Sequence, residues 1–248
     1  MNLRQASSLG ASAPARPTVA LRIGFLKKVY GLFTASLVVS SLGAMCAIYI
    51  GAPDPEEAGL EGAMPPVVEL FAAHPFLCMG ATLAVMIGAR AARRVPGLNL
   101  LALFGMAAFL GVATAPALYL AQAAAGLGGT LSADPVRDAF ILTVLTFGSL
   151  TLGVLLSKDD LSFLASGLVM GAMVVLGAML LNALLGSTLL GLAISSVSVL
   201  LFGGYVLYNT SRLIHSDEED PVGGAIDLYL NFINLFSSIL HILSGRHV

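Results

Sequence analysis

The residues with chemistry to offer gather near the C-terminal end of the chain. Asp227, Asn231, Asn234, Ser238 and His241 are spaced four, three, four and three apart. That repeat puts side chains on one face of an α-helix. The rest of the segment is Leu, Ile, Phe and Tyr. The stripe offers one carboxylate for a cation or a proton, amides and a hydroxyl for hydrogen bonding, and an imidazole that titrates near neutral pH. Asp227 has two readings: a cation or proton site inside the helix, or a residue of the first turn that caps it or touches water. Just upstream, Ser195, Ser198, Tyr205 and Asn209 fall near one face of the preceding segment, so Asn209 and Asn231 can meet across a short connection. Hydrogen bonding between neighbouring helices accounts for that pair equally simply.

Catalytic constellations are missing from the same inventory. A carboxylate dyad needs two acids sharing a proton, and Asp227 is the only acid well inside an apolar segment. His241 lies far from any Gly-flanked serine, and His74 and His215 sit at segment ends. No phosphate-binding or dinucleotide-binding glycine motif occurs. Cys46 and Cys78 lie within apolar runs and read as small buried hydrophobes rather than as a disulfide or a metal site. The expectation is therefore no enzyme, no cofactor and no bound metal.

Of the 248 residues, 57% are hydrophobic and 10% charged, against about 25% charged in a soluble domain. Lipid must be the solvent for much of such a surface. Seven apolar runs, near 29–50, 67–89, 98–122, 134–156, 161–184, 188–211 and 224–244, are each long enough to cross a hydrocarbon core of about 30 Å. Runs without period-two alternation mean helices. The fold class is all-α, a polytopic seven-helix transmembrane bundle over 25–248, preceded by a disordered cytoplasmic tail over 1–24. An Arg-rich, acid-free leader of mitochondrial type is the alternative for the tail. Asp134–Pro135 reads as a helix start, Asp159 and Asp160 as acids at the start of the fifth run, and Asp220–Pro221 with Gly223–Gly224 as the break between the sixth and seventh runs. Pro116 predicts a kink, and Gly167 with Gly171 a close helix approach.

The clues to orientation are the charged side chains at run ends. Arg4, Arg16, Arg22, Lys27, Lys28, Arg90, Arg93, Arg94, Lys158 and Arg212 fall on one side, with only Arg137 and Arg246 on the other. The positive-inside rule then puts the N-terminus in the cytoplasm and the C-terminus outside. Asp54, Glu56, Glu57 and Glu61 fall in the first external loop. Asp217, Glu218, Glu219 and Asp220 lack the spacing of a calcium loop and read as a solvated acidic turn.

Two C-terminal stretches, Gly204-Tyr205-Val206-Leu207-Tyr208-Asn209-Thr210 and Ile226-Asp227-Leu228-Tyr229-Leu230-Asn231-Phe232-Ile233-Asn234-Leu235-Phe236, resemble the Bax inhibitor-1 family. So do Phe25-Leu26-Lys27-Lys28-Val29-Tyr30-Gly31-Leu32, Ala139-Phe140 with Thr143, and Lys158-Asp159-Asp160-Leu161-Ser162. The resemblance implies a bundle around a central seventh span, a pH-sensitive calcium leak in some members, and modulation of cell death or of a membrane protease in others. It also implies a proton-sensing pair of aspartates that latches the pore. At both of those positions this chain has asparagine, Asn209 and Asn231, and carboxamides have nothing to titrate near neutral pH.

The resulting expectation is a calcium or cation leak channel in a bacterial inner membrane, with a pH-insensitive latch. Asn209, Asn231, Asp227 and Asn234 line the latch and pore, and Ser238 and His241 continue the stripe. Residual cation attraction rests on Asp227. Calcium or another cation is the permeant ion. The alternative is a non-conducting interaction protein that modulates a membrane protease or a stress or cell-death pathway. Partners are the lipid bilayer and, in that alternative, a membrane protease, with no nucleic acid and a monomeric state.

Overall fold

The computed structural model describes residues 19–50, 64–126, 131–157, 159–215 and 220–245. Eight helices follow in order: α1 Val19–Tyr49, α2 Pro66–Ala73, α3 Pro75–Ala92, α4 Leu98–Gly126, α5 Pro135–Ser157, α6 Leu164–Leu185, α7 Thr188–His215 and α8 Pro221–Ser244. No strand occurs among the described residues. All but α2 are long and apolar enough to cross a membrane, and the protein is an all-α polytopic membrane protein.

Several boundaries differ from the sequence reading. The run expected at 67–89 is two helices, because Pro75 lacks an N–H and pushes the residue before it out of helical geometry. His74 accordingly takes φ −126° and ψ 59°. Helix α1 reaches back to Val19, inside the segment expected to be tail. Asp159 and Asp160 lie in the α5–α6 connection, not at the start of α6, whose N-cap is Phe163. There Asp160 accepts bonds from the Ser162 amide and hydroxyl, the hydroxyl bond being the larger influence, and these hold its carboxyl below the ordinary range. Helix α6 ends at Gly186, whose φ of +62° gives the left-handed cap that closes on the Asn182 carbonyl. Pro116 sits inside an unbroken α4. Gly171 meets Leu201 of α7, whereas Gly167 faces open space. Residues 1–18, the acids Asp54, Glu56, Glu57 and Glu61, Lys158, the acids Asp217, Glu218 and Glu219, and Arg246 lie outside the described residues.

Helix α8 is the axis of the bundle, with α1, α4, α5 and α7 packed around it. Its Ala225, Ile226, Leu228, Tyr229 and Leu235 are fully buried. Phe232 meets Phe33, Phe140 and Phe147 with ring centroids 5.6–6.2 Å apart, and Phe33 stacks on Phe147 at 5.2 Å. Helices α1 and α4 cross at backbone contact. A Cβ added at Gly111 would sit 2.0 Å from the Ser40 carbonyl oxygen, and one at Gly43 2.5 Å from that of Ala108. Helix α6 packs on α7 alone through Leu168, Val175, Ile194 and Leu201. Helix α3 lies against α4 and scarcely touches α8. The outer faces are apolar, as at Leu77, Met173, Leu184 and Leu200, which is the composition lipid requires. Several hydroxyls in the spans bond back to their own helix, Ser36 to Leu32 O at 2.9 Å and Thr143 to Ala139 O at 2.6 Å, which satisfies them out of reach of water.

Candidate functional site

Helix α8 starts on Asp220, whose Oδ1 accepts from the Gly223 amide at 2.9 Å, with Pro221 in the first turn. Asp220, and not Asp227, is therefore the cap. Gly224 lets α8 approach its neighbours: a Cβ there would lie 2.8 Å from Leu213 of α7 and 3.3 Å from Val29 of α1.

Asp227 follows two turns later, with 8% of its side chain exposed. Its Oδ1 accepts from Arg90 Nη2 of α3 at 2.6 Å, and its Oδ2 from Arg212 Nη2 of α7 at 2.7 Å. Arg212 also lies over the Tyr208 ring, 5.8 Å from its centroid. A central aspartate costs about 2.5–3.5 kcal/mol to insert, and charge-assisted bonds to both oxygens offset that cost. The three groups together carry one net positive charge. The sequence places residual cation attraction at Asp227; in the structure each of its oxygens is occupied by a guanidinium group. One turn beyond Arg90, Arg93 Nε stands 3.9 Å from Asp220 Oδ2, a second tie between the end of α3 and the start of α8.

Asn209 and Asn231 are both buried, but no hydrogen bond joins them among the described residues, and Asn231 Nδ2 has no partner. This corrects the expected meeting of the two amides. Neutral carboxamides exert no long-range pull, and the polar tie between α7 and α8 near this level is the Arg212–Asp227 pair. Asn234 donates to Leu230 O at 2.6 Å and Ser238 to Asn234 O at 2.8 Å. Both spend their polarity on their own helix. Asn234 also borders a small lateral recess of about 170 Å³ between α3, α4 and α8, with Thr82, Met86, Thr114 and Ser237. His241 is exposed near the other end of α8, its Nε2 beside Gly191 of α7 and near Asn182 of α6. The stripe thus divides into a buried, ion-paired end, a middle satisfied within α8, and an exposed end.

Three residues of this site were missed in the sequence. Arg90 and Arg212 read only as markers of orientation, although a lone intramembrane acid itself calls for a cation. Tyr229 read as part of the apolar face. It is fully buried, and its hydroxyl donates to Ser40 Oγ at 2.9 Å and reaches Ala107 O at 3.3 Å, pinning α8 where α1 and α4 cross. Nearby, the buried Ser211 hydroxyl of α7 accepts from the Leu161 amide at 2.9 Å and lies 3.1 Å from Asp159 O.

The comparisons agree with this architecture. The family model for the inhibitor of apoptosis-promoting Bax1 matches residues 22–247. An uncharacterized protein of Campylobacter jejuni is 32% identical over 223 residues, covering 88% of this chain and 87% of its own. The modulator of FtsH protease YccA of Escherichia coli is 35% identical over 147 residues, 58% of this chain and 64% of its own. The Golgi anti-apoptotic protein of vaccinia virus is 29% identical over 233 residues, 94% and 90% of the two chains. With a buried axial helix, six further spans around it and a family match over nearly its whole length, the chain belongs to the Bax inhibitor-1 family.

Proposed function

We propose that this protein is a non-conducting membrane interaction protein that modulates a membrane protease. One observation carries the reading: Asp227, the only buried carboxylate among the described residues, is bonded on both oxygens by arginines. Asn209 and Asn231 add no charge, so a permeating cation meets a net positive site. The printed name of the Escherichia coli relative, a modulator of FtsH protease, supports the choice of partner. In this reading the protein performs no catalysis of its own, and its arginine-rich end faces the cytoplasm, where the positive-inside rule puts it.

The test has two arms. Co-reconstituted with a membrane-anchored ATP-dependent protease, the protein is expected to co-purify with it and change its rate of membrane-substrate degradation. Alone in liposomes it is expected to pass no calcium between about pH 5 and 8, the range in which histidine titrates. Steep pH-dependent flux with no effect on the protease would overturn the proposal.

The polar side chains within the lateral recess, Thr82, Thr114, Asn234 and Ser237, favour a second reading, a cation leak that opens when the Arg90–Asp227 bond breaks. In that case the double change Asn209→Asp and Asn231→Asp introduces pH-dependent flux, and Asp227→Asn alters flux in the otherwise unchanged protein.

A further inference from the structure

The Arg90 end of the α3–α8 seam has chemistry left over after Asp227 is satisfied. Arg90 keeps 55% of its side chain exposed and makes one hydrogen bond, to Asp227, whereas a guanidinium carries five donors. Arg94, four residues on, is exposed and has no ion-pair partner among the described residues. Among the described residues this end carries four arginines, Arg90, Arg93, Arg94 and Arg212, and two aspartates, Asp220 and Asp227. Arg90 and Arg94 stand at and just past the C-terminal end of α3, where a spanning helix leaves the membrane.

Below the arginines the seam changes character. Thr82 and Met86 lie eight and four residues before Arg90, on one face of α3. Opposite them Leu230, Ile233 and Asn234 of α8 continue from Asp227, and the lateral recess lies between. Because α3 scarcely touches α8, this seam is open to the bilayer. A positively charged mouth above an uncharged furrow, whose aliphatic lining is Met86, Leu110, Leu230 and Ile233, matches the order of groups in a phospholipid, phosphate first and acyl chain below. Guanidinium groups grip phosphate oxygens in a fork, and basic groups between helices at this level hold anionic headgroups.

We infer that Arg90 and Arg94 bind the phosphate of an anionic phospholipid whose acyl chain lies along the α3–α8 seam. Native mass spectrometry of the full chain in mixed micelles, titrated with phosphatidylglycerol, diacylglycerol or glycerol phosphate, tests this. One phosphatidylglycerol is expected to remain bound, in preference to diacylglycerol, with glycerol phosphate failing to compete. Arg94→Gln should weaken binding about fivefold and the double change with Arg90→Gln about thirtyfold. Met86→Trp, which fills the furrow and leaves the charges in place, should also weaken it. Equal retention of diacylglycerol, displacement by glycerol phosphate, or unchanged binding in Arg94→Gln overturns the inference. The Arg94 change suffices should the double variant fail to fold, since that side chain holds nothing else together.

Discussion

Helices α1 and α3 are both attached to the same core by opposite means. At the α1–α4 crossing, glycines bring backbone to backbone, and Tyr229 of α8 closes the joint with its hydroxyl. No charge takes part. At the α3–α8 seam there is little packing, and two arginine–aspartate pairs, Arg90–Asp227 and Arg93–Asp220, span the gap. The difference follows from the solvent. In lipid an apolar face gains nothing by leaving one hydrocarbon for another, so helices associate through close packing or polar bonds. Helix α1 uses the first, and α3, though packed on α4, uses the second where it meets α8.

The largest effect should come from Asp227→Asn, which keeps the shape and removes the charge that α3 and α7 share. Removing one partner of a buried pair costs about 3–5 kcal/mol, and the exposure of Arg90 draws the figure toward the lower end. Hydrogen-exchange mass spectrometry should show α3 loosening while α1 stays protected. Equal loosening of both would erase the distinction between the two seams. Gly111→Ala attacks the other joint. Its added methyl overlaps the Ser40 carbonyl, and a loss of about 1–3 kcal/mol is expected, read as a lower midpoint of thermal inactivation in detergent with exchange rising in α1 and α4 but not in α3. Tyr229→Phe deletes one buried hydroxyl from that joint and should cost about 1 kcal/mol in the same assay.

Smallest of all is Ser162→Ala, in neither seam, which should change stability by less than about 0.5 kcal/mol. Its signature is in pH. Asp160 has a folded-state pKa below its ordinary value, so its contribution is complete above an unfolded pKa of about 3.9 and fades as pH falls through the folded value. The variant should lose that acid-side dependence, as followed by stability measured from about pH 5 down to pH 2.

The spans were legible because apolar runs and their proline and aspartate boundaries are local properties of the chain. Asp220–Pro221 was legible as a break between runs, though not as the cap and first turn of α8 that it forms, and the stripe from Asp227 to His241 does follow one helix. The partners were not legible. Arg90 lies 137 positions from Asp227, and nothing in the neighbourhood of either residue encodes their meeting. The break at His74 was readable in principle from Pro75, but the apolar residues on both sides masked it. Tyr229 was hidden for a different reason: its ring belongs to the apolar face, and only the position of Ser40 on α1 gives the hydroxyl a use.

Ser211 and Arg212 are consecutive on α7, yet they grip different parts of the molecule. The serine fastens the α5–α6 connection at Asp159 and Leu161, and the arginine fastens the axial helix at Asp227. That turn of α7 is a mechanical coupling between a segment outside the hydrocarbon and the centre of the bundle. The connection and the axis are thus joined through two adjacent residues of a single helix.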